Sequence, residues 1–250
     1  MQHCGLVPGE MARSIGKSMI RFTLFGVQVS IHPTLWITLA LLGGGCAVSQ
    51  VADVLAVCLF IIAGFVCLLA HEMGHALTSR AMGGGHPEVH LAWLGGDCVN
   101  ETARLTRMQG VLMTAAGPLA SLLVGVVAAA VLGLYVGSMG LGFFLARHFV
   151  FGVVPTELLE GYPAMAILFF LFLIEVSFWW TILNLLPVFP LDGGQIMHGL
   201  MRSPRQMHTI SLVAAVTLLL MFISLGMWLV AVLMGALAYL NYRMRENTPY

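Results

Sequence analysis

Long runs of apolar residues separated by short polar segments dominate the chain from residue 34 onward. A helix needs about 20 apolar residues to cross about 30 Å of hydrocarbon, and six of these runs approach that length. The predicted spans are residues 34–48, 54–77, 108–136, 164–186, 210–225 and 227–242. The pattern therefore predicts an all-α membrane protein built as a bundle of six transmembrane helices.

Two segments between the apolar runs show a different pattern, in which apolar and polar positions alternate as they do in a half-buried strand. Residues 21–31 are predicted to form a hairpin around Gly26, and residues 89–94 a further strand. Both segments lie on the same side of the predicted bundle. We therefore expect a small β-sheet at one membrane face.

The N-terminal residues fall outside these patterns. Residues 1–18 are expected to form a tail, and residues 19–245 a single transmembrane domain. The first long apolar run begins too far along the chain for a cleaved signal peptide, so we expect it to be retained as a span.

A small residue recurs at every fourth position of the third predicted span. In lipid, such a stripe lets a neighbouring helix backbone approach closely. We expect it to serve helix packing. Its members are Gly117, Ser121, Gly125, Ala129, Gly133 and Gly137.

Composition agrees with a lipid environment. Of the 250 residues, 59% are hydrophobic and 9% are charged, and the mean hydropathy is +0.94. A soluble domain does not keep so little charge while carrying so much apolar surface. The 11 basic and 11 acidic residues cancel, so no nucleic acid is expected as a partner.

The basic residues indicate an orientation. In a six-span topology, every Lys and Arg except Arg147 falls on one side of the membrane. Because Lys and Arg are retained on the cytoplasmic side, both termini are predicted to lie inside. We expect a multi-pass protein of a bacterial cell membrane.

The second predicted span ends in the motif His71-Glu72-Met73-Gly74-His75. Residues four apart share one face of a helix, so both imidazoles can bind one metal ion. A catalytic zinc ion takes three protein ligands and leaves its fourth position to water, and Glu72 is then the expected general base. Since ionisable residues within a span are costly, a metal site is favoured over a structural pair.

A third ligand is required, and the residues leave more than one candidate. Asp192 lies in the segment 184–194, directly after the fourth span, and reaches the same membrane face as the two histidines. Asp53 lies at the opposite end of the second span and is excluded. The remaining candidates, in the loop before the third span, are His86, His90 and Asp97.

Three motifs together resemble the site-2 protease family of intramembrane zinc metalloproteases. They are HEMGH at 71–75, AGP at 116–118 and NLLPVFPLDGG at 184–194. The IHP sequence at 31–33 is similar to the start of the first span in the sporulation-type branch. Members of the family often carry a PDZ or CBS domain, and we expect neither here.

The resemblance implies a site and a reaction. His71, His75 and Asp192 would bind one zinc ion per chain, Glu72 would be the catalytic glutamate, and Asn184 would hold the substrate or polarise its carbonyl. The implied reaction is the hydrolysis of a peptide bond in a single-span membrane protein, near the cytoplasmic membrane face. The implied partners are this substrate, the lipid bilayer and a gating protein.

Two other functions stay open at this point. A prenyl-protein protease shares the HExxH motif but usually takes a later Glu as third ligand, and no Glu follows Glu175 until Glu246. A non-catalytic zinc-binding membrane protein would not need an intact Glu72.

Three features have no settled role. Glu175 either forms a hydrogen bond to another helix or lines a path for water or substrate. His32 either forms a hydrogen bond at the boundary of the first span or acts near the site. The strand at 89–94 is expected to be an edge strand that could hold an unwound substrate by backbone pairing.

Overall fold

The structure is a computed structural model that describes residues 19–93, 95–99, 105–152 and 163–248. The expected tail at 1–18 lies outside the described residues. In chain order the elements are β1 (Ile20–Leu24), β2 (Val27–Ile31), α1 (Pro33–Leu42), a 3₁₀ turn (Gly45–Ala47), α2 (Val51–Ala81), β3 (Glu88–Ala92), β4 (Gly95–Val99), α3 (Arg107–Tyr135), α4 (Met139–Phe151), α5 (Ala164–Leu185), α6 (Asp192–Leu200), α7 (Pro204–Ser224) and α8 (Trp228–Glu246).

Four of the described helices, α2, α3, α5 and α7, are long and apolar enough to cross a membrane. Helix α1 has ten residues, which is about 15 Å and too short to cross alone. Helix α8 has 19 residues, and the charges of its last turn, Arg243, Arg245 and Glu246, lower its mean hydropathy. The predicted helical membrane fold is confirmed, whereas the count of six spans stays a prediction.

Two helices were not predicted from the apolar pattern. Helix α4 packs between α3 and α5, where Gly142 lies directly against the backbone of Gly133. Helix α6 begins at Asp192, immediately after the proline-rich segment. Both helices have 13 residues or fewer, so neither produces a run long enough to be recognised as a span.

The strands form one sheet in the order β1-β2-β3-β4. The hairpin around Gly26 is confirmed, and β2 pairs with β3 in parallel. Strand β4 was missed because its sequence, GGDCV, contains residue types that are depleted in strands. Because β4 pairs with the far side of β3, the expectation that the strand at 89–94 forms an edge is wrong. Among the described residues, β4 forms that edge instead.

The parallel pairing of β2 with β3 determines how the chain crosses the molecule. Strand β3 begins seven residues after the end of α2, so the sheet lies at the C-terminal end of that helix. Helix α2 has 31 residues and is about 46 Å long. The stretch between Ile31 and Val51 must therefore run back along most of α2, and α1 packs on that helix with Leu39 against Gly64.

The buried apolar side chains of the described residues form three clusters. The first lies between the sheet and helices α1 and α2. The second joins α3, α4 and α5. The third fills the antiparallel pair α7–α8 and includes Val188 from the segment before α6. The sheet, the central helices and the C-terminal pair thus each have an apolar cluster of their own.

Candidate metal centre

Helix α2 brings the HExxH residues to its buried side, near its C-terminal end. His71, Glu72 and His75 are 2%, 5% and 3% exposed. The two imidazole rings lie edge to face, with their centroids 4.8 Å apart. One turn of helix therefore places two ring nitrogens side by side in a region closed to solvent.

Asp192, the first residue of α6, completes a group of three. Its Oδ2 lies 3.0 Å from Nε2 of His71 and 3.5 Å from Nε2 of His75, and the two Nε2 atoms are 3.1 Å apart. A tetrahedral zinc ion with bonds of about 2.0 Å has ligand atoms about 3.3 Å from one another. The three observed separations scatter around this value. Within the described ranges, these residues form the group whose ligand atoms could hold a metal ion.

The hydrogen bonds on the far side of each ring determine which nitrogen carries the proton. The Ser121 hydroxyl donates to the Gly117 carbonyl at 3.3 Å, so Nδ1–H of His71 donates to Ser121 Oγ at 2.8 Å. Nδ1–H of His75 donates to the Met113 carbonyl at 2.9 Å. Both Nε2 atoms therefore keep their lone pairs, which point towards the aspartate. This is how metal-binding histidines are usually oriented.

The surroundings of the Asp192 carboxylate show whether a cation fits between the three side chains. Its Oδ2 is buried and has no hydrogen-bond partner among the described residues. A buried carboxylate oxygen without a partner costs free energy, and a cation beside it removes that cost. Two imidazole nitrogens and one carboxylate oxygen are a donor set that zinc accepts. The residues present therefore fit a zinc ion.

Two glycines let neighbouring backbones reach the centre. A β-carbon at Gly117 of α3 would overlap the ring of His75. A β-carbon at Gly96 of β4 would lie 2.6 Å from Cγ of Glu72. Helix α3 and strand β4 thus pack directly on the HExxH motif, and a larger residue at either glycine would prevent this close packing.

The loop candidates for a third ligand lie elsewhere. Asp97 faces His90 across the pairing of β3 with β4, and Nδ1 of His90 contacts the Ser30 hydroxyl. Burial raises the pKa of Asp97, an effect that His90 partly offsets. His86 is exposed. None of these three side chains joins the metal-binding group formed by the described residues.

The remaining expected residues are found in more ordinary settings. Asn184 is buried in the last turn of α5, where its Nδ2 donates to the Trp180 carbonyl at 3.0 Å. His32 caps α1, because its Nδ1 accepts from the backbone N–H of Thr34 at 3.3 Å. Glu175 lies half-buried in α5. The predicted role of Asn184 therefore stays a prediction.

Three residues at the site were not singled out from the sequence. No residue type in the sequence indicates that the Met113 carbonyl accepts a hydrogen bond from His75. Ser121 belongs to the small-residue stripe, and its hydroxyl is the feature that could have indicated a hydrogen bond to His71. Trp180 lies edge to face with His71, with 6.1 Å between ring centroids, and its buried indole N–H has no partner among the described residues.

Comparison with known proteins identifies the family. The sequence model of Peptidase family M50 matches residues 59–225, which is more than half of the chain. The chain therefore belongs to Peptidase family M50. The resemblance to the site-2 proteases that was drawn from the three motifs is confirmed.

Two of the matches come from Methanocaldococcus jannaschii, one a curated sequence and one a solved structure. A zinc metalloprotease is 24% identical over 180 residues, which cover 72% of this chain and 44% of that protein. The chain thus spans less than half the length of this curated relative. The solved structure of a site-2 protease matches with a TM-score of 0.50 and 20% identity, over 93% of this chain and 97% of the other. The second likeness shows a common fold.

The hydrogen bond between His71 and Ser121 leads to a first prediction. Ser121→Ala leaves Nδ1–H of His71 without its acceptor, so the ring is no longer held and zinc affinity should fall about 10–100-fold. Thr181→Ala is the matched control, because this buried hydroxyl donates to the Ser177 carbonyl at 2.7 Å and touches no ligand. Chelator competition on the purified proteins measures the zinc affinity of both variants. Equal zinc affinities for the two variants would contradict the assigned role of Ser121.

Proposed function

We propose that this protein is an intramembrane zinc metalloprotease that hydrolyses peptide bonds of single-span membrane proteins near the cytoplasmic membrane face. One observation carries the proposal. The ligand atoms of His71, His75 and Asp192 converge to within 3.0–3.5 Å. The two histidines and Glu72 lie on α2, a helix apolar enough to cross a bilayer. Membership of Peptidase family M50 supports the same activity.

His71, His75 and Asp192 would hold one zinc ion per chain. When bound, zinc supplies a Lewis acid that polarises the scissile carbonyl and lowers the pKa of water. Glu72 accepts a proton from the attacking water, whose oxygen bonds to the carbonyl carbon. As the C–N bond breaks, Glu72 returns that proton to the leaving amine. The hydroxyl of Ser121 keeps His71 oriented throughout.

Asn184 is proposed to hold the substrate. A side-chain amide carries two N–H donors, and one of them is used on the Trp180 carbonyl. Among the described residues neither the second donor nor the amide oxygen has a partner, so both can bind the substrate backbone. Because Asn184 ends the helix that leads into the Asp192 segment, a substrate carbonyl bound there would lie close to the ligand group.

A transmembrane substrate hides its carbonyls in its own helix and must unwind before it is cut. An unwound segment can add to an exposed strand edge by backbone hydrogen bonds. Strand β4 supports this step better than β3, because β4 is an edge among the described strands. Gly96 of β4 also lies against Glu72. A substrate strand added to β4 would thus pass beside the general base.

The two alternative functions gain no support. A prenyl-protein protease would use a Glu from a later helix, whereas Asp192 is the third member of the ligand group. A non-catalytic zinc protein would not need a buried glutamate between the two histidines.

The second prediction separates binding from catalysis. Glu72→Gln keeps the shape of the side chain and removes the base, so zinc should stay bound while cleavage falls about 10²–10⁴-fold. Glu88→Gln, on the exposed side of β3, should cleave as the wild type does. The measurement is cleavage of a single-span substrate in the same vesicles, with zinc content determined in parallel. Near-normal cleavage by zinc-loaded Glu72→Gln would rule out the mechanism.

We further propose that residues 19–245 form one transmembrane metalloprotease domain that crosses a bacterial cell membrane six times, with both termini inside. The pairing of β2 with β3 supports the predicted first crossing, residues 34–48, because both strands lie at one end of α2. The antiparallel pair α7–α8 supports the last two. The distribution of Lys and Arg supports the orientation.

Labelling of single cysteines tests this topology. In a background with all five native cysteines replaced by alanine, His86→Cys and Thr248→Cys should react only with a membrane-permeant thiol reagent in intact cells. Arg147→Cys should react with an impermeant one, because it lies on the outer side. Labelling of Thr248→Cys from outside would mean that one proposed crossing does not exist.

A further inference from the structure

The pair α7–α8 holds the backbone of one residue in the segment that leads to Asp192. That residue is Phe189, three positions before the ligand. Its N–H donates to Ser211 Oγ of α7 at 3.1 Å, and its carbonyl accepts from Nδ2 of Asn241 of α8 at 2.6 Å. Two helices thus hold both backbone polar groups of the same residue.

Asn241 is fully engaged in this arrangement. It is 0% exposed, and its Nδ2 also donates to the Leu237 carbonyl at 2.9 Å. Its Oδ1 accepts from Nδ1–H of His208 at 3.1 Å. A buried amide in an apolar helix costs free energy unless it is hydrogen-bonded, and three bonds hold this one in a single orientation. The ring of His208 in turn lies edge to face with Phe189 at 5.5 Å between centroids.

The segment between α5 and α6 depends on such outside contacts. Pro187 and Pro190 have no N–H to donate, so few backbone hydrogen bonds form within the segment. The N–H of Val188 donates to the Leu186 carbonyl at 2.7 Å, and that of Leu191 to the Val188 carbonyl at 2.8 Å. Phe189, between them, is bonded through the two helices instead. Because successive Cα atoms are about 3.8 Å apart, Asp192 lies within about 11 Å of that fixed point. Metal sites tolerate errors of only about 0.2 Å in their bond lengths.

We propose that Asn241 is a positioning residue of the metal centre. Together with Ser211 it fixes the backbone of Phe189, and thereby the distance of Asp192 from the two histidines. Asn241 touches neither metal nor substrate, and it lies outside residues 59–225, the part that the family model matches. The inference rests on the proposed function in one respect, namely that Asp192 is a zinc ligand.

A purely structural role for Asn241 predicts a different result. If the amide only stabilises the packing of α7 against α8, its loss should lower the melting temperature and leave the zinc site unchanged. If it positions Asp192, its loss should weaken zinc binding even where the fold is retained. Asn241→Leu separates the two, because leucine fills similar space and suits an apolar helix pair.

The test measures zinc affinity by chelator competition and the melting temperature of the metal-free protein, both on the full chain in detergent. Asn241→Leu should weaken zinc binding about 10–100-fold, as loss of supporting contacts around a metal site commonly does. Its metal-free melting temperature should fall by no more than that of Leu219→Ala, although the Phe189 carbonyl and the Nδ1–H of His208 lose their partner. Leu219→Ala is the control, since Leu219 packs against Gly235 inside the pair α7–α8. It should lower the melting temperature and keep the wild-type zinc affinity.

Wild-type zinc affinity in Asn241→Leu would overturn the proposal, and so would equal losses of affinity in Asn241→Leu and Leu219→Ala. If Asn241→Leu does not fold, Ser211→Ala decides, because it removes the partner of the Phe189 N–H and should also weaken zinc binding. Asp192→Ala is the reference. An unchanged affinity in that variant would refute the ligand assignment itself, whereas absence of substrate cleavage by zinc-loaded wild type would refute only the proposed function.

Discussion

Two imidazoles and one carboxylate are buried together inside a largely apolar helix bundle. Much of the packing around them follows from the need to give each of these polar groups a partner. Polar groups buried in such a place cost several kcal/mol unless each finds a partner. The Nδ1 atoms of His71 and His75 find theirs on α3, in a hydroxyl and a backbone carbonyl. Within the described part of the chain, the two Nε2 atoms and Oδ2 of Asp192 lie 3.0–3.5 Å from one another, and a cation between them would satisfy all three.

This requirement explains the close packing around the site. Helix α3 can approach His75 only because residue 117 is glycine, and β4 can approach Glu72 only because residue 96 is glycine. Asp192, the third member of this group, follows a segment with two prolines, which have no N–H to donate. The pair α7–α8 compensates by binding the backbone of Phe189. Support for the centre therefore reaches from the sheet to the last helix.

The parts that could be predicted from the sequence are those encoded locally. The spacing of His71 and His75 on one helix turn is a local property, and so are the long apolar helices and the hairpin around Gly26. The choice of Asp192 over Asp97 was not local. It was favoured by the membrane face that Asp192 shares with the two histidines in the predicted topology and by motif resemblance, and the geometry of the group agrees with it.

The parts that were missed depend on tertiary contacts. Gly95, Gly96 and Asp97 are poor strand formers. Strand β4 forms because it pairs with β3 and packs against α2 near Glu72. Because β4 was not predicted, the strand at 89–94 was wrongly expected to form an edge of the sheet. Helix α4 is too short to resemble a span, and it is held by its packing on α3 and α5. Asn241 resembles an isolated polar residue until its contact with Phe189 is seen.

The central claim is that His71, His75 and Asp192 hold one zinc ion, and metal content tests it most directly. Zinc per chain is measured by elemental mass spectrometry on the purified wild type, on Asp192→Ala and on Asp97→Ala. The last variant removes the competing aspartate, which faces His90 in the sheet. One zinc in the wild type and in Asp97→Ala, with zinc lost from Asp192→Ala, is the predicted result. Full zinc occupancy in Asp192→Ala would contradict the account.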